Sequence, residues 1–351
     1  MNKLKILFLL RTNYNYSSYS TPKVKAGLIN SVIFLSEALM EEADVDTKVS
    51  VVVDGNSVDK EVHDYRPNIC IMDAIWVTPK KMMEVQKLHP TVQFIMRVHS
   101  KIPFLANEGL SLTWIKEYMK IPNVMISNNN KFSNDDYIAA DIPSSYLPNV
   151  YRKVSLDDDE NIHSTRKLDR NQRLDKAKEI TIGCFGAIRP LKNQLLQAFA
   201  AIHFANKHDA KLNFHINGER IEQKGEEVLA NIRALFSDSK HQLVEHSWEN
   251  HEDFLEIVSK MDIGMQCSYS ESFNIVAADF VSQRVAIVVS DEVYWMQDLM
   301  KVNPNVSKQM VRKLETAYKH KHKIAYRSAQ ALNRQRTEAL RVWNEFLNLY
   351  R

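Results

Sequence analysis

The segment Ser268–Asp279, S-Y-S-E-S-F-N-I-V-A-A-D, carries two carboxylates placed to recognise hydroxyl groups. It follows the apolar run Ile263–Cys267 and leads into Ile275, Val276, Ala278 and Val281 at helical spacing, so it reads as strand, turn and helix start. Glu271 falls in the loop at the strand's end. Asp279, eight residues on, falls about two turns into a helix that would begin near Phe273. The backbone N–H groups of Ser272, Phe273 and Asn274 would then be the donors of a helix N-terminus, which favours a phosphate. An anion seat flanked by two hydroxyl acceptors is the outline of a nucleotide sugar, with the diphosphate in the middle, ribose on one side and the sugar on the other. An ordinary capped helix behind a serine-rich turn looks the same, so the rest of the chain has to decide.

The elements that must position this loop alternate strand and helix, the pattern of a parallel sheet. Ile6–Leu10 reads as the first strand, and Leu28, Val32, Leu35 and Leu39 mark one face of a following helix. Val49–Val53, Ile69–Met72, Phe94–Val98 and Val124–Ser127 are further strands. Residues 152–178 are dominated by charge, including Asp157-Asp158-Asp159-Glu160, and read as a linker or exposed excursion. A second alternation opens at Ile180–Phe185. It continues through a helix with Leu195, Phe199 and Ile202 on one face, the strand Leu212–Ile216, a helix with Phe254, Leu255 and Val258, the strand at Ile263, and the strand Ala286–Ser290. The expectation is two Rossmann-like domains facing a central cleft, 1–151 and 179–305, with C-terminal helices over 306–351 packing back across them. In such sheets ligands sit beyond the carboxyl ends of the strands.

Composition agrees with a globular protein: 351 residues, 44% hydrophobic and 25% charged, enough chain for two cores. No segment has the length of a transmembrane helix. The start, Lys3–Arg11, has too short an apolar run and no small-residue cleavage site, so it reads as a buried strand rather than a leader. Cys70, Cys184 and Cys267 lie in apolar runs without metal-ligand spacing, which points to reduced core residues and a cytoplasmic setting. Net charge is only +3, but residues 301–351 hold twelve Lys and Arg against three Glu. The basic charge is gathered in the last helices, where it is either a solvated surface or a site for a polyanion.

Several segments together resemble the GT-B glycosyltransferases, in particular the large retaining family with an E-x(7)-E motif in its second domain. Glu271 to Asp279 has that spacing, with Asp in the second place; Glu271-Ser272-Phe273-Asn274 stands where the family has E-G-F-G. Leu147-Pro148-Asn149-Val150 looks like the I-P-N-G-V segment ending the first domain, and Gly186 to Lys192 looks like the G-R-x(4)-K loop opening the second. The resemblance implies a retaining transfer of a sugar from a UDP- or GDP-sugar to an acceptor hydroxyl, with no metal or other cofactor required. It implies that Asp279 holds the ribose hydroxyls, Glu271 the sugar hydroxyls, and Lys192 the leaving diphosphate, with Gly186, Ser272, Phe273 and Asn274 lining the donor. Arg189 would assist, although the family's Arg directly follows the Gly, where this chain has Ala187. In the first domain, His99 in Arg97-Val98-His99-Ser100 resembles the family's strand-terminal His near the reacting sugar. Gly27 opens the first helix where the family often has a Gly-rich turn, but the chain has only 8 Gly, so Lys23 or Lys25 would take over phosphate contact.

The run Asp157–Asp159 resembles a D-x-D metal motif, but it stands in the charged linker without a preceding buried strand. The segment Lys101–Gly109 would lie at the acceptor side, and the R-V-H-S and A-N-E-G pattern is similar to phage-encoded glycosyltransferases, some of which modify hydroxymethylated bases in DNA. With the basic C-terminal helices, this makes double-stranded DNA the expected partner. Alternatives are a glycan or lipid glycosyltransferase, a nucleotide-sugar epimerase or phosphorylase, and a non-catalytic nucleic-acid-binding protein on the same scaffold. An epimerase needs no acceptor, and the last would bind DNA without Glu271 or Lys192.

Overall fold

The computed structural model describes residues 3–11, 27–156 and 178–351. Lys23, Lys25 and the Asp157–Asp159 run lie outside the described residues. The chain divides into two compact units, Met1–Arg152 with Gln335–Arg351, and Lys153–Arg334.

The first unit is built on β1 (Leu4–Arg11), α1 (Gly27–Glu42), β2 (Val45–Val52), α2 (Ser57–Tyr65), β3 (Ile69–Asp73), α3 (Pro79–Leu88) and β4 (Gln93–Val98). There follow α4 (Ile102–Leu105), α5 (Ser111–Tyr118), β5 (Val124–Asn128), α6 (Lys131–Ala139) and β6 (Ser144–Tyr146). Six parallel strands run in the order β2-β1-β3-β4-β5-β6. Apart from Lys5 and Arg11 in β1 and Asp73 at the end of β3, these central strands are apolar because both faces are covered. Successive residues point to opposite faces, so Ile6, Phe8 and Leu10 enter one core with α1 and Trp343, while Leu7 and Leu9 enter the other with Met72, Phe94 and Tyr118.

The edge strand β2 departs from the sequence expectation. It starts four residues earlier, at Val45, and pairs with β1 from Leu4↔Val45 to Arg11↔Val52, whereas Val53 is 50% exposed outside it. Asp46, Thr47 and Lys48 hide the strand from a hydrophobicity reading, since an edge strand needs only part of its surface apolar.

The second unit comprises β7 (Glu179–Gly183), α7 (Gln194–Lys207), β8 (Lys211–Asn217), α8 (Gly225–Phe236), β9 (Gln242–His246) and α9 (His251–Ser259). It continues with β10 (Ile263–Gln266), α10 (Ile275–Ser282), β11 (Ile287–Ser290), β12 (Lys301–Val302) and α11 (Ser307–Lys319); α12 (Lys321–Leu347) contributes its residues up to Arg334. Its six strands are again parallel, in the order β12-β11-β10-β7-β8-β9. The chain winds outward in one direction from β7 and in the other from β10, which makes the β7/β10 seam the topological switch point.

The expected face of α7 is wrong. Phe199 is 50% exposed, and the buried positions are Gln194, Gln197, Ala198, Ala200, Ala201, Phe204 and Ala205. Small alanines let this helix lie close to its neighbours, with Phe204 meeting Tyr318 of α11, and that closeness outranks the size of Phe199.

Two glycines set the height of α10 over the switch point. Gly183 and Gly264 are register partners on β7 and β10, and the ring of Phe280 lies on them. A Cβ on Gly264 would stand 2.7 Å from Phe280, and one on Gly183 2.9 Å from it. Phe280 also stacks on Phe185 at 5.8 Å, so the helix is pinned flat to the seam. Gly264→Ala should therefore destabilise the fold by about 1–3 kcal/mol in urea denaturation through overpacking. Gly109→Ala, where an added Cβ meets nothing within 4 Å, should leave the midpoint unchanged.

Candidate functional site

At the carboxyl end of β7 the chain passes through Cys184 and Phe185 to Gly186, whose φ of +111° is open to glycine and strained for other residues. Its N–H donates to Asn217 Oδ1 at 2.8 Å. A Cβ at this position would lie 4.0 Å from both Lys192 Cε and Val276 Cγ2, so the Gly186 turn, Lys192 and the start of α10 meet at one place. Lys192 closes the short helical turn Pro190–Lys192 and reaches Glu271 Oε1 at 2.6 Å, with side chains only 12% and 8% exposed.

Buried amides hold both partners. Gln197 donates to the Lys192 carbonyl at 2.8 Å and accepts from Cys267 N–H at 2.8 Å. Asn193, in a left-handed conformation at φ 56°, donates to the carbonyls of Cys267 and Pro304. Tyr269 N–H donates to the Leu191 carbonyl, completing the seam between the two loops. Gln266, the last residue of β10, donates to the Phe185 carbonyl and accepts from Asn274 Nδ2. Trp295 Nε1 donates to the Phe273 carbonyl at 2.7 Å and packs against the Phe273 ring. Glu271 N–H donates to Glu292 Oε2 at 3.2 Å.

The helix begins two residues later than the sequence suggests. Asn274 takes φ 63° and caps α10 with its own side chain, accepting from Ala277 N–H at 2.9 Å. The first-turn N–H groups are therefore those of Ile275 and Val276, beside Gly186, rather than those of Ser272, Phe273 and Asn274. Asp279 lies inside α10, nearly buried, and its Oδ1 accepts from His251 Nε2 at 2.8 Å. Arg189 makes its ion pair with Glu222, which also holds Arg220, at the loop after β8.

The thiols beside this site are not nucleophiles. Burial pushes Cys184 up to about 12 and Cys267 well above the ordinary thiol range, so both keep their protons. Among the described residues no group of three His, Cys, Asp or Glu could hold a metal ion, and no helix is long and apolar enough to cross a membrane.

The first unit has its own polar cluster where β3, β4 and β5 end. Asp73 Oδ1 accepts from Arg97 Nη1 at 2.9 Å and from His99 Nε2 at 2.7 Å. Arg97 is fully buried; it also donates to the Leu147 carbonyl and to Asn149 Oδ1, and lies over the Trp343 ring. Asn129 Nδ2 donates to His99 Nδ1 at 3.1 Å, so both ring nitrogens of His99 are engaged. Burial, then the charge of Arg97, holds His99 below the usual histidine range, against the pull of Asp73. His99 is consequently neutral at neutral pH. Ala74, next to Asp73, sits at φ 73°, a strained conformation for alanine worth on the order of 1–3 kcal/mol. Gly27 is the first residue of α1 and its carbonyl accepts from Ser31 Oγ.

Of the residues singled out by sequence, the structure joins Gly186, Lys192, Glu271 and the Phe273-Asn274 turn. It places Asp279 on His251, Arg189 on Glu222, and His99 and Gly27 in the other unit. The sequence reading missed Gln197, Gln266, Asn193, Glu292, His251, Asp73 and Arg97. Asp73 and Arg97 did leave a signal, since each is a charge at, or one residue before, the end of a largely apolar strand.

No protein-family model matches the chain, and no curated protein matches it by sequence. Solved structures do match over its full length. Anabaena Alr3699/HepE, crystallised in complex with UDP and glucose, superposes with a TM-score of 0.62 at 13% identity, covering 99% of each chain. Sucrose-phosphate synthase from Thermosynechococcus elongatus gives 0.63 at 12% identity, again over 99% of each. The α,α-trehalose 6-phosphate synthase of Burkholderia multivorans gives 0.59 at 11% identity, over 99% of this chain and 96% of that one. The chain shares the two-domain α/β fold of these neighbours, the GT-B fold.

A histidine pair near the site supplies a pH test of the second unit. His215 Nδ1 and His246 Nε2 are 2.7 Å apart in stacked rings, and burial, then His246, brings His215 down to about 4 from 6.5. The folded state thus binds fewer protons than the unfolded chain between these values, and stability falls as pH drops from 6.5 toward 4. Urea denaturation at pH 7.5 and at pH 5 should show this loss, and His215→Asn should make it smaller.

Proposed function

We propose that the chain transfers a sugar from a UDP- or GDP-sugar to an acceptor hydroxyl with retention of configuration, the donor being bound by the second unit. The observation that carries this reading is the Lys192–Glu271 pair at the switch point, beside the start of α10 and the Gly186 turn. The pair stores a cation and an acceptor that a donor separates: the diphosphate takes the ammonium, and a sugar hydroxyl donates to the released carboxylate. Gly186 lets the backbone approach, the N–H groups of Ile275 and Val276 face the phosphates, and Ser272, Phe273 and Asn274 shape the turn beneath them. Asp279 serves the ribose end. Arg189, held by Glu222, contributes positive charge at the rim rather than a first contact.

As the bond from the anomeric carbon to the phosphate oxygen breaks, negative charge grows on the leaving diphosphate, and Lys192 stabilises it where stabilisation lowers the barrier most. With retention, the acceptor oxygen bonds to the anomeric carbon on the face the diphosphate leaves, and its proton passes to the leaving phosphate oxygen. His99, neutral and fixed by Asp73, orients a hydroxyl by exchanging the Asn129 amide for it. The HepE and trehalose-phosphate synthase neighbours, which carry UDP or UDP-glucose or are described as UDP-forming, support a nucleotide-sugar donor for this fold.

A thermal-shift panel of nucleoside diphosphates and their sugars tests the donor. A cognate ligand at a hundredfold excess over its dissociation constant adds about 2.7 kcal/mol. Lys192→Met should lower kcat by about 10²–10³-fold, in keeping with removal of one transition-state charge contact. Wild-type protein with no response to any nucleotide would contradict the reading.

For the acceptor we favour a hydroxymethylated base in duplex DNA, in a phage-infected cytoplasm. Lys308 and Arg312 on α11, and Lys319, Lys323 and Arg327 at four-residue spacing into α12, put five cations at helical spacing in the second unit. Other cations of this region are neutralised, Lys301 by Asp298 and Lys321 by Asp262, whereas among the described residues these five make no ion pair. Duplex affinity should fall steeply with salt, and replacing Lys319, Lys323 and Arg327 with Ala should flatten the slope. Absent or salt-independent binding would favour a glycan or lipid acceptor instead.

A further inference from the structure

Asp279 occupies the position that the E-x(7)-E resemblance gives to ribose recognition, but its carboxylate is only 4% exposed and is engaged by His251, which is 15% exposed. His251 comes from a different element, 28 residues earlier in the chain. It is the first residue of α9, whose entry is fixed by Asn250 Oδ1 accepting from Asp253 N–H at 3.0 Å. α9 packs against α10, so the imidazole is delivered to the carboxylate by two adjoining helices rather than by a loose loop. Aspartate is also one methylene shorter than the glutamate of the family pattern, which draws its oxygens back toward the helix. The more accessible member of the couple is the ring.

Resting on the reading of the second unit as a nucleotide-sugar site, we propose that His251 is the group that meets the ribose, and that Asp279 is a positioning residue acting through it. The chemistry follows from the tautomer. With Nε2–H donating to Asp279, the second ring nitrogen, Nδ1, carries a lone pair and accepts. A ribose hydroxyl is a donor, and Nδ1 is the ring atom that can accept from it. The carboxylate fixes both the tautomer and the ring plane, as acidic partners do for ligating histidines. A histidine and an aspartate together thus span the distance that one glutamate spans alone.

Calorimetry with UDP, GDP and ADP and their 2′-deoxy counterparts separates this proposal from the reading beneath it. Wild-type protein should prefer the ribonucleotide that it binds over the 2′-deoxy form by about three- to tenfold, the worth of one hydrogen bond. His251→Ala should bring that ratio to about one while leaving the affinity for the 2′-deoxy form unchanged. His251→Gln, whose amide can donate to Asp279 and accept from a hydroxyl, should restore part of the ratio and guards against collapse of the pair. A ratio that survives in His251→Ala but disappears in Asp279→Ala would overturn the proposal and return the contact to the carboxylate. A wild-type ratio of one would also overturn it. If none of the three ribonucleotides binds wild-type protein, the nucleotide-sugar reading itself fails, and the proposal with it.

Discussion

A lysine ammonium and a glutamate carboxylate, each about nine-tenths withdrawn from water, can stand 2.6 Å apart only if the backbone around them is fixed from several sides. Desolvating two charges costs several kcal/mol per ion before their attraction offsets it, so such a pair is a poor device for stability. The second unit nevertheless surrounds it with amides: Gln197 on the Lys192 carbonyl, Asn193 on two carbonyls, and Gln266 linking Phe185 to Asn274. Beneath them, Gly183 and Gly264 leave room for Phe280 and so set where α10 begins. Every one of these contacts serves to fix a cation, an acid and a helix start at the switch point of the sheet.

The first unit shows what a buried cation looks like when its task is structural. Arg97 spends its planar fork on Asp73, the Leu147 carbonyl and Asn149, and lies over Trp343, so its donors are committed to the protein. Lys192 instead relies on a single carboxylate partner, and a compact ammonium on a flexible stem exchanges that partner without dismantling a network. The contrast between a locked guanidinium and an exchangeable ammonium is why a ligand is assigned to the second sheet's pair. In the first unit the exchangeable member is His99, kept neutral by burial and Arg97.

Much of this was legible in the chain. Apolar runs marked the central strands because parallel sheets bury both faces, and the order of Gly186, Lys192, Glu271 and Asp279 matched a known arrangement. Edge strands β2 and β9 were obscured or missed because polar residues such as Lys48 and Glu245 are tolerated there. Phe199 misled because size predicts burial only when no alanine face offers closer packing. The start of α10 slipped by two residues because Asn274 supplies its own cap from a left-handed backbone, a choice that composition does not reveal. His251 escaped entirely, since its partnership with Asp279 crosses an intervening helix and strand and has no periodic signature.

The most direct measurement is a crystal structure of the protein with the nucleotide diphosphate that stabilises it. A phosphate oxygen should lie within hydrogen-bonding distance of Lys192 Nζ and of the Ile275 or Val276 N–H, with the Lys192–Glu271 contact lengthened and the Glu271 carboxylate turned to the sugar side. A nucleotide seated away from the β7/β10 seam, with the Lys192–Glu271 pair still closed, would contradict this placement.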